Sequence, residues 1–268
     1  MHVQTMRTAV CFFGEIRGTS DHWKKVYDAI VAPNNADVFM ALSIYDTDFI
    51  QSYTAEQQEL FLSYYQNKGV HYYPPRELLE LFKPKLLKCM PRYEYSLDHY
   101  NLFIDRVNPE NSLTVNGNYS YDCTKLAYYA IMNQSDTRAS VIALKHEYEQ
   151  KMNTKYDNVI FTRLDINPQD KIQFHSPLEN ICASGSYNYI FEQIIVGPSD
   201  KMNIFMKLLE HMPDLYVKYC NMEHHFMQNE YHLYKFLEQN NIQVDFIDIS
   251  LNRSVMLNGL TRFNFSFQ

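Results

Sequence analysis

Four polar clusters in the 268-residue chain each stand beside a run of apolar residues. Gly14, Glu15, Arg17 and Gly18 follow the run 8–13. Tyr45, Asp46, Thr47 and Asp48 follow Asp37–Ile44. Arg163 and Asp165 follow 158–162, and Glu192 and Gln193 belong to the run 187–195. These residue types can do defined chemistry. A carboxylate can take a proton from a hydroxyl or ligate a hard cation, and a guanidinium can hold a phosphate through parallel N–H bonds.

Such clusters act together only if the elements before them end at one place. The run 8–13 (TAVCFF) is apolar throughout, as a strand buried on both faces of a parallel sheet must be. Thr19 or Ser20 can cap a helix after it, with Trp23, Val26, Tyr27 and Ile30 on one face. Pro33 ends that helix, and Asp37–Ile44 (DVFMALSI) follows as a second strand. Strand, helix and strand in this order form a βαβ unit. Further helices are expected from 54–57, over Arg76–Phe82, over 121–133 and 136–152, and over 199–210 and 222–238. Further strands are expected at 70–73, 86–90, 158–162, 187–195 and 243–249. Residues 91–121 follow no period and suit a loop or lid beside a site or, equally, an irregular surface excursion. The fold class is therefore α/β: a mostly parallel sheet between two helical layers, in a single domain over 1–268 with no internal repeat or linker. In such sheets ligands bind beyond the carboxyl ends of the strands, where the four clusters are expected to converge.

Composition narrows the function. The net charge is −7 and the sequence pI about 5.8, with no basic stripe of the kind that binds nucleic acid. Lys83, Lys85 and Lys88 are diluted by Pro84 and apolar neighbours and read as a solvated face. No run of about 18 apolar residues occurs, so no membrane span is expected. The five cysteines are scattered without metal or redox spacing, which suits reduced thiols in the cytoplasm. Cys11 lies within a strand and reads as core. The 22 Tyr and 17 Phe residues supply flat apolar area suited to sugar faces and interfaces alike. Gly14-x-x-x-Gly18 lacks dinucleotide spacing, and P-loop, nucleophile-elbow and zinc-protease motifs are missing. The pair His224-His225 is expected in a helix with His232, and His225 and His232 could share a face, read here as polar surface ahead of a metal site. Glu230 falls on the apolar stripe of Phe226, Leu233 and Leu237, where a carboxylate needs a partner.

Taken in order, Ala9-Val10-Cys11-Phe12-Phe13-Gly14-Glu15-Ile16-Arg17-Gly18, Ala36-Asp37-Val38-Phe39 and Tyr156 to Ile166 (YDNVIFTRLDI) resemble small GT-A glycosyltransferases of bacterial surface polysaccharides and large algal viruses. Glu192-Gln193-Ile194-Ile195-Val196-Gly197 and Glu230 are similar to later landmarks of that family. The resemblance implies a GT-A (Rossmann-like) fold, with a nucleotide-binding part about 1–166 and an acceptor part about 167–268. It implies a nucleotide-sugar donor, a UDP-sugar first among them, a glycan acceptor and often Mn²⁺ or Mg²⁺. Phe12, Phe13, Gly14, Glu15, Arg17 and Arg163 would hold the donor. Asp46, Asp48, Gln193 and Glu230 would contact substrate, with Glu192 as general base in an inverting enzyme and Asp165 as metal ligand. The chain departs from the family at the metal motif: the Asp-x-Asp slot reads Arg163-Leu164-Asp165. Arg163 could hold a phosphate while Asp165 takes a metal or sugar hydroxyl, or the two could form a buried ion pair. Asp46-Thr47-Asp48 has the literal spelling after an earlier strand. A binding module without catalysis is the alternative, and a nucleotidyltransferase a third reading.

Overall fold

A computed structural model describes residues 6–44, 71, 73–91, 121–168, 170–186, 189–223 and 229–247, with the backbone alone at 121–130, 186, 189, 191–192, 219–223 and 229. It is an α/β structure with a seven-stranded mixed sheet of order β3-β2-β1-β4-β6-β5-β7. The strands are β1 (Thr8–Glu15), β2 (Asp37–Ile44), β3 (Leu86–Pro91), β4 (Asn158–Arg163), β5 (Ile181–Ser186), β6 (Tyr189–Pro198) and β7 (Val244–Phe246). β1 lies between β2 and β4, parallel to both, and β2 pairs in parallel with β3. β6 runs antiparallel to β4 and β5, while β5 and β7 are parallel.

Alternation along the central strands divides the core between two faces. Ala9, Cys11 and Phe13 of β1, with Phe39 and Ala41 of β2, pack beneath α3 (Tyr121–Met152), α5 (Leu208–Glu223) and α6 (Asn229–Gln239). Val10 and Phe12, with Val38, Met40 and Leu42, face α1 (Ser20–Val26) and α2 (Arg76–Phe82). Both sides of the sheet are thus covered, which is why β1 and β2 read as unbroken apolar runs. A short helix, α4 (Ser199–Met202), and a 3₁₀ turn at Asn203–Lys207 connect β6 to α5.

Several boundaries match the sequence reading. β2 and α2 span the expected residues, and Thr19 caps α1 by accepting from the His22 backbone N–H. Trp23, Val26 and Ile30 are buried as the helical period requires. Others differ. The helix after Val26 continues as a π turn at Tyr27–Val31 and a 3₁₀ turn that contains Pro33, closed by Asn35 in the left-handed region. β5 was not foreseen, because ICASGS is short and rich in small polar residues. His71 and Tyr73 lie in no strand, although one was expected at 70–73. The two helices expected on either side of Gln134 are one 32-residue helix. Its polar midpoint stays helical while Ser135 donates to the Ile131 carbonyl at 2.8 Å. The helix expected from 54–57, residues 92–120 of the expected loop, and the His224-His225 pair lie outside the described residues. His232 is not on a polar surface: it is fully buried and stacks on Tyr216, with ring centroids 5.1 Å apart.

Candidate functional site

Register explains why the clusters meet. Phe13 pairs with Arg163 across β1 and β4, and Glu15 with Ser43 across β1 and β2, so three parallel strands finish at one level. β6 arrives from the other direction. Thr162 pairs with Ile194, which sets the backbone of Gln193 and Glu192 one and two residues beyond, at the carboxyl end of β4. The Thr162 hydroxyl donates to the Gln193 carbonyl at 2.5 Å.

β1 runs two residues further than its apolar run, through Gly14 (φ +92°) to Glu15. The turn that follows is held at each carbonyl. The His71 backbone N–H donates to Ile16 O and the Trp23 indole N–H to Arg17 O, both at 2.8 Å. The His71 ring Nε2 lies 2.8 Å from Gly18 O, and His22 Nε2 lies 3.0 Å from Leu164 O. Gly18 has φ +105°, a region L side chains rarely enter, and a Cβ there would lie 2.7 Å from His22 Cδ2.

This framework aims four charged side chains at one another. Arg163 Nε donates to Asp165 Oδ1 at 2.7 Å, and its second N–H reaches Oδ2. Arg17 donates to the same Oδ2 at 3.2 Å and pairs with Glu15 through its other terminal nitrogen. The ion pair that the sequence left open as an alternative for Arg163 and Asp165 is present, and Arg17 joins it. Asp165 sits in a turn just past β4, not on the strand. Burial raises its pKa, but Arg163 and then Arg17 outweigh that and hold the carboxyl below its ordinary value. Burial works against charge on Arg17 too, and Glu15 and Asp165 more than offset it, so its pKa is raised. The buried Arg17 Nε–H has no hydrogen-bond partner among the described residues.

Phe13, Gly14, Glu15, Arg17 and Arg163 line a cavity of about 40 Å³ together with Ser43, Asn133 and Gln134. That is room for about three water molecules or one compact polar group. The last three residues were not singled out from sequence. Ser43 is the polar residue near the end of an apolar strand, and Asn133-Gln134 is the polar stretch that resembled a break between helices. Arg138, one turn from Gln134, is fully buried with its guanidinium 5.1 Å from the Phe13 ring centroid. A larger hollow, about 370 Å³, lies between α6 and β7, lined by Tyr234, Glu238 and Phe246 among others. Its size exceeds that of the strand-end cavity, but among the described residues no cluster of opposed charges converges on it.

Phe12 is fully buried against Phe82, so it supports the strand end from below. Phe13 stacks on Phe161 and reaches the cavity. Glu230 is half-buried in the first turn of α6. The Glu192 side chain, Asp46 and Asp48 lie outside the described residues.

A hard dication needs several oxygen ligands. Among the described residues, no group of three His, Cys, Asp or Glu side chains is placed to hold one. Both oxygens of Asp165 already accept guanidinium N–H groups. Arg17 also engages Glu15, the neighbouring carboxylate. By themselves, Glu15 and Asp165 do not supply the full ligand set of Mn²⁺ or Mg²⁺.

No family model matches the chain, and no curated protein matches it.

Proposed function

We propose that the chain is a GT-A-type glycosyltransferase that moves a sugar from a nucleotide-sugar, a UDP-sugar in the first instance, to a glycan acceptor. One observation carries the reading: Glu15, Arg17, Arg163 and Asp165 converge at the carboxyl ends of β1 and β4, where open α/β sheets bind ligands. The sequence resemblance supplies the chemical class. In this reading residues 1–166 hold the nucleotide and 167–268 the acceptor, with the enzyme in the cytoplasm. No described helix is long and apolar enough to cross a membrane.

The cavity is too small for a whole nucleotide-sugar, so the charged middle of the donor is the part that sits at Arg17 and Arg163. Asp46 and Asp48 would contact the substrate. Gln193 and Glu230 would meet the acceptor side. Glu192 takes the proton from the acceptor hydroxyl if configuration inverts, since its backbone lies at the carboxyl end of β4.

The binding-module reading is favoured by one feature, the engagement of Asp165 by two guanidiniums. A panel of UDP-, GDP- and CMP-sugars, read by thermal shift and by donor hydrolysis, separates the two. A ligand at a hundredfold excess over its dissociation constant should stabilise the fold by about 2.7 kcal/mol. A glycosyltransferase gives the shift and slow hydrolysis, and a binding module gives the shift alone. No shift with any donor overturns both.

A further inference from the structure

Building on that reading, we infer that Arg17 and Arg163, clamped by Asp165, hold the donor diphosphate in the place where a divalent cation would otherwise stand. Asp165 is then a positioning residue and not a metal ligand.

The first support is charge. Two guanidiniums, Arg17 and Arg163, share the Asp165 carboxylate at the strand ends, and Arg17 also holds Glu15. A dication on Asp165 would have to displace both guanidiniums, whereas a diphosphate would meet them. The second is hydrogen bonding. The Nε–H of Arg17 is buried in a cavity-lining residue without an acceptor among the described residues, and a phosphate oxygen is an acceptor of the right charge. The third is orientation. Asp165 takes two parallel N–H bonds from Arg163 and a third from Arg17, which fixes the planes of both forks relative to each other. Preorganised guanidiniums spend less conformational entropy when a ligand arrives.

The test is calorimetric titration of the full chain with UDP and with GDP, in EDTA and then in excess Mn²⁺ or Mg²⁺. At least one nucleotide should bind with a dissociation constant that changes less than twofold between these conditions. Arg163→Ala and Arg17→Ala should each weaken binding tenfold or more, with folding checked by circular dichroism. Where an alanine variant does not fold, Arg163→Lys and Arg17→Lys keep the charge but lose the fork, and should still weaken binding severalfold. Asp165→Asn should weaken it less than either arginine variant, and its effect should not depend on added metal. Binding that disappears in EDTA and returns with Mn²⁺ overturns this inference and leaves the glycosyltransferase reading standing. Unchanged affinity in folded arginine variants also overturns it. If neither nucleotide binds under any condition, the inference falls together with the function it rests on.

Discussion

Asp165 makes three charge-assisted hydrogen bonds from a largely buried position, so its ionised form is tied to the folded state. Because its pKa is depressed on folding, its contribution is complete above the ordinary value of 3.8 and is lost as pH falls through the lower folded value. Asp165→Asn should therefore cost about 1–3 kcal/mol at neutral pH, and the gap from the natural protein should close in acid. Urea unfolding of both proteins across pH checks this, and a gap that persists at the acid end would contradict it. Glycine at the same turn gives a second prediction. Gly14 and Gly18 both have positive φ, but a Cβ on Gly14 meets nothing within 4 Å while one on Gly18 meets His22 and Trp23. Gly14→Ala should cost roughly 1–2 kcal/mol of backbone strain, and Gly18→Ala clearly more. Equal losses in thermal denaturation would show that strain alone decides both. The thiols differ as well. Burial pushes Cys11 up to about 12, whereas Cys89 is exposed, so a thiolate-selective reagent should modify Cys89 in the native protein and Cys11 only after unfolding.

At the scale of elements, α3 links the two ends of the sheet. Near its middle Gln134 lines the cavity, and three turns later Lys145 is fully buried at the opposite, amino end of β4. There Lys145 donates to Glu149 at 3.0 Å, Ser199 Oγ at 2.5 Å and Asn203 Oδ1 at 2.7 Å. Glu149 also accepts the Tyr156 backbone N–H at 2.9 Å, so this network joins α3, α4 and the start of β4. Burial raises the Glu149 pKa, but these donors reverse the shift and keep it ionised. Lys145→Met removes the compensating charge and should destabilise by about 3–5 kcal/mol. Nucleotide affinity per folded molecule should stay unchanged, because the network lies at the far end of the strands. A stable variant, or one with selectively impaired binding, would refute this division.

For the molecule as a whole, seven hydrogen-bonded strands with both faces covered predict one cooperative transition for the described part of the chain. Trp23 is the only tryptophan, is buried, and bonds the carbonyl of Arg17, so its fluorescence reports on the turn beside the site. Its unfolding curve should superimpose on far-ultraviolet circular dichroism, and a lower midpoint for fluorescence would show the turn opening first.

The sequence by itself determined the α/β class, the limits of β2 and α2 and the buried face of α1. These follow from local period and capping, which depend on residues a few positions apart. It also pointed to Glu15, Arg17, Arg163 and Asp165, since polar residues after buried strands can only sit at strand ends. What it could not decide was their pairing. Arg17 and Asp165 are 148 positions apart, and only the parallel register of β1 and β4 brings them within 3.2 Å. The continuity of α3 was likewise hidden, because a polar midpoint looks the same whether it breaks a helix or faces a cavity. The same holds for β6: its antiparallel direction, which carries Gln193 to the carboxyl end of β4, is a property of the assembled sheet and leaves no local mark on the chain.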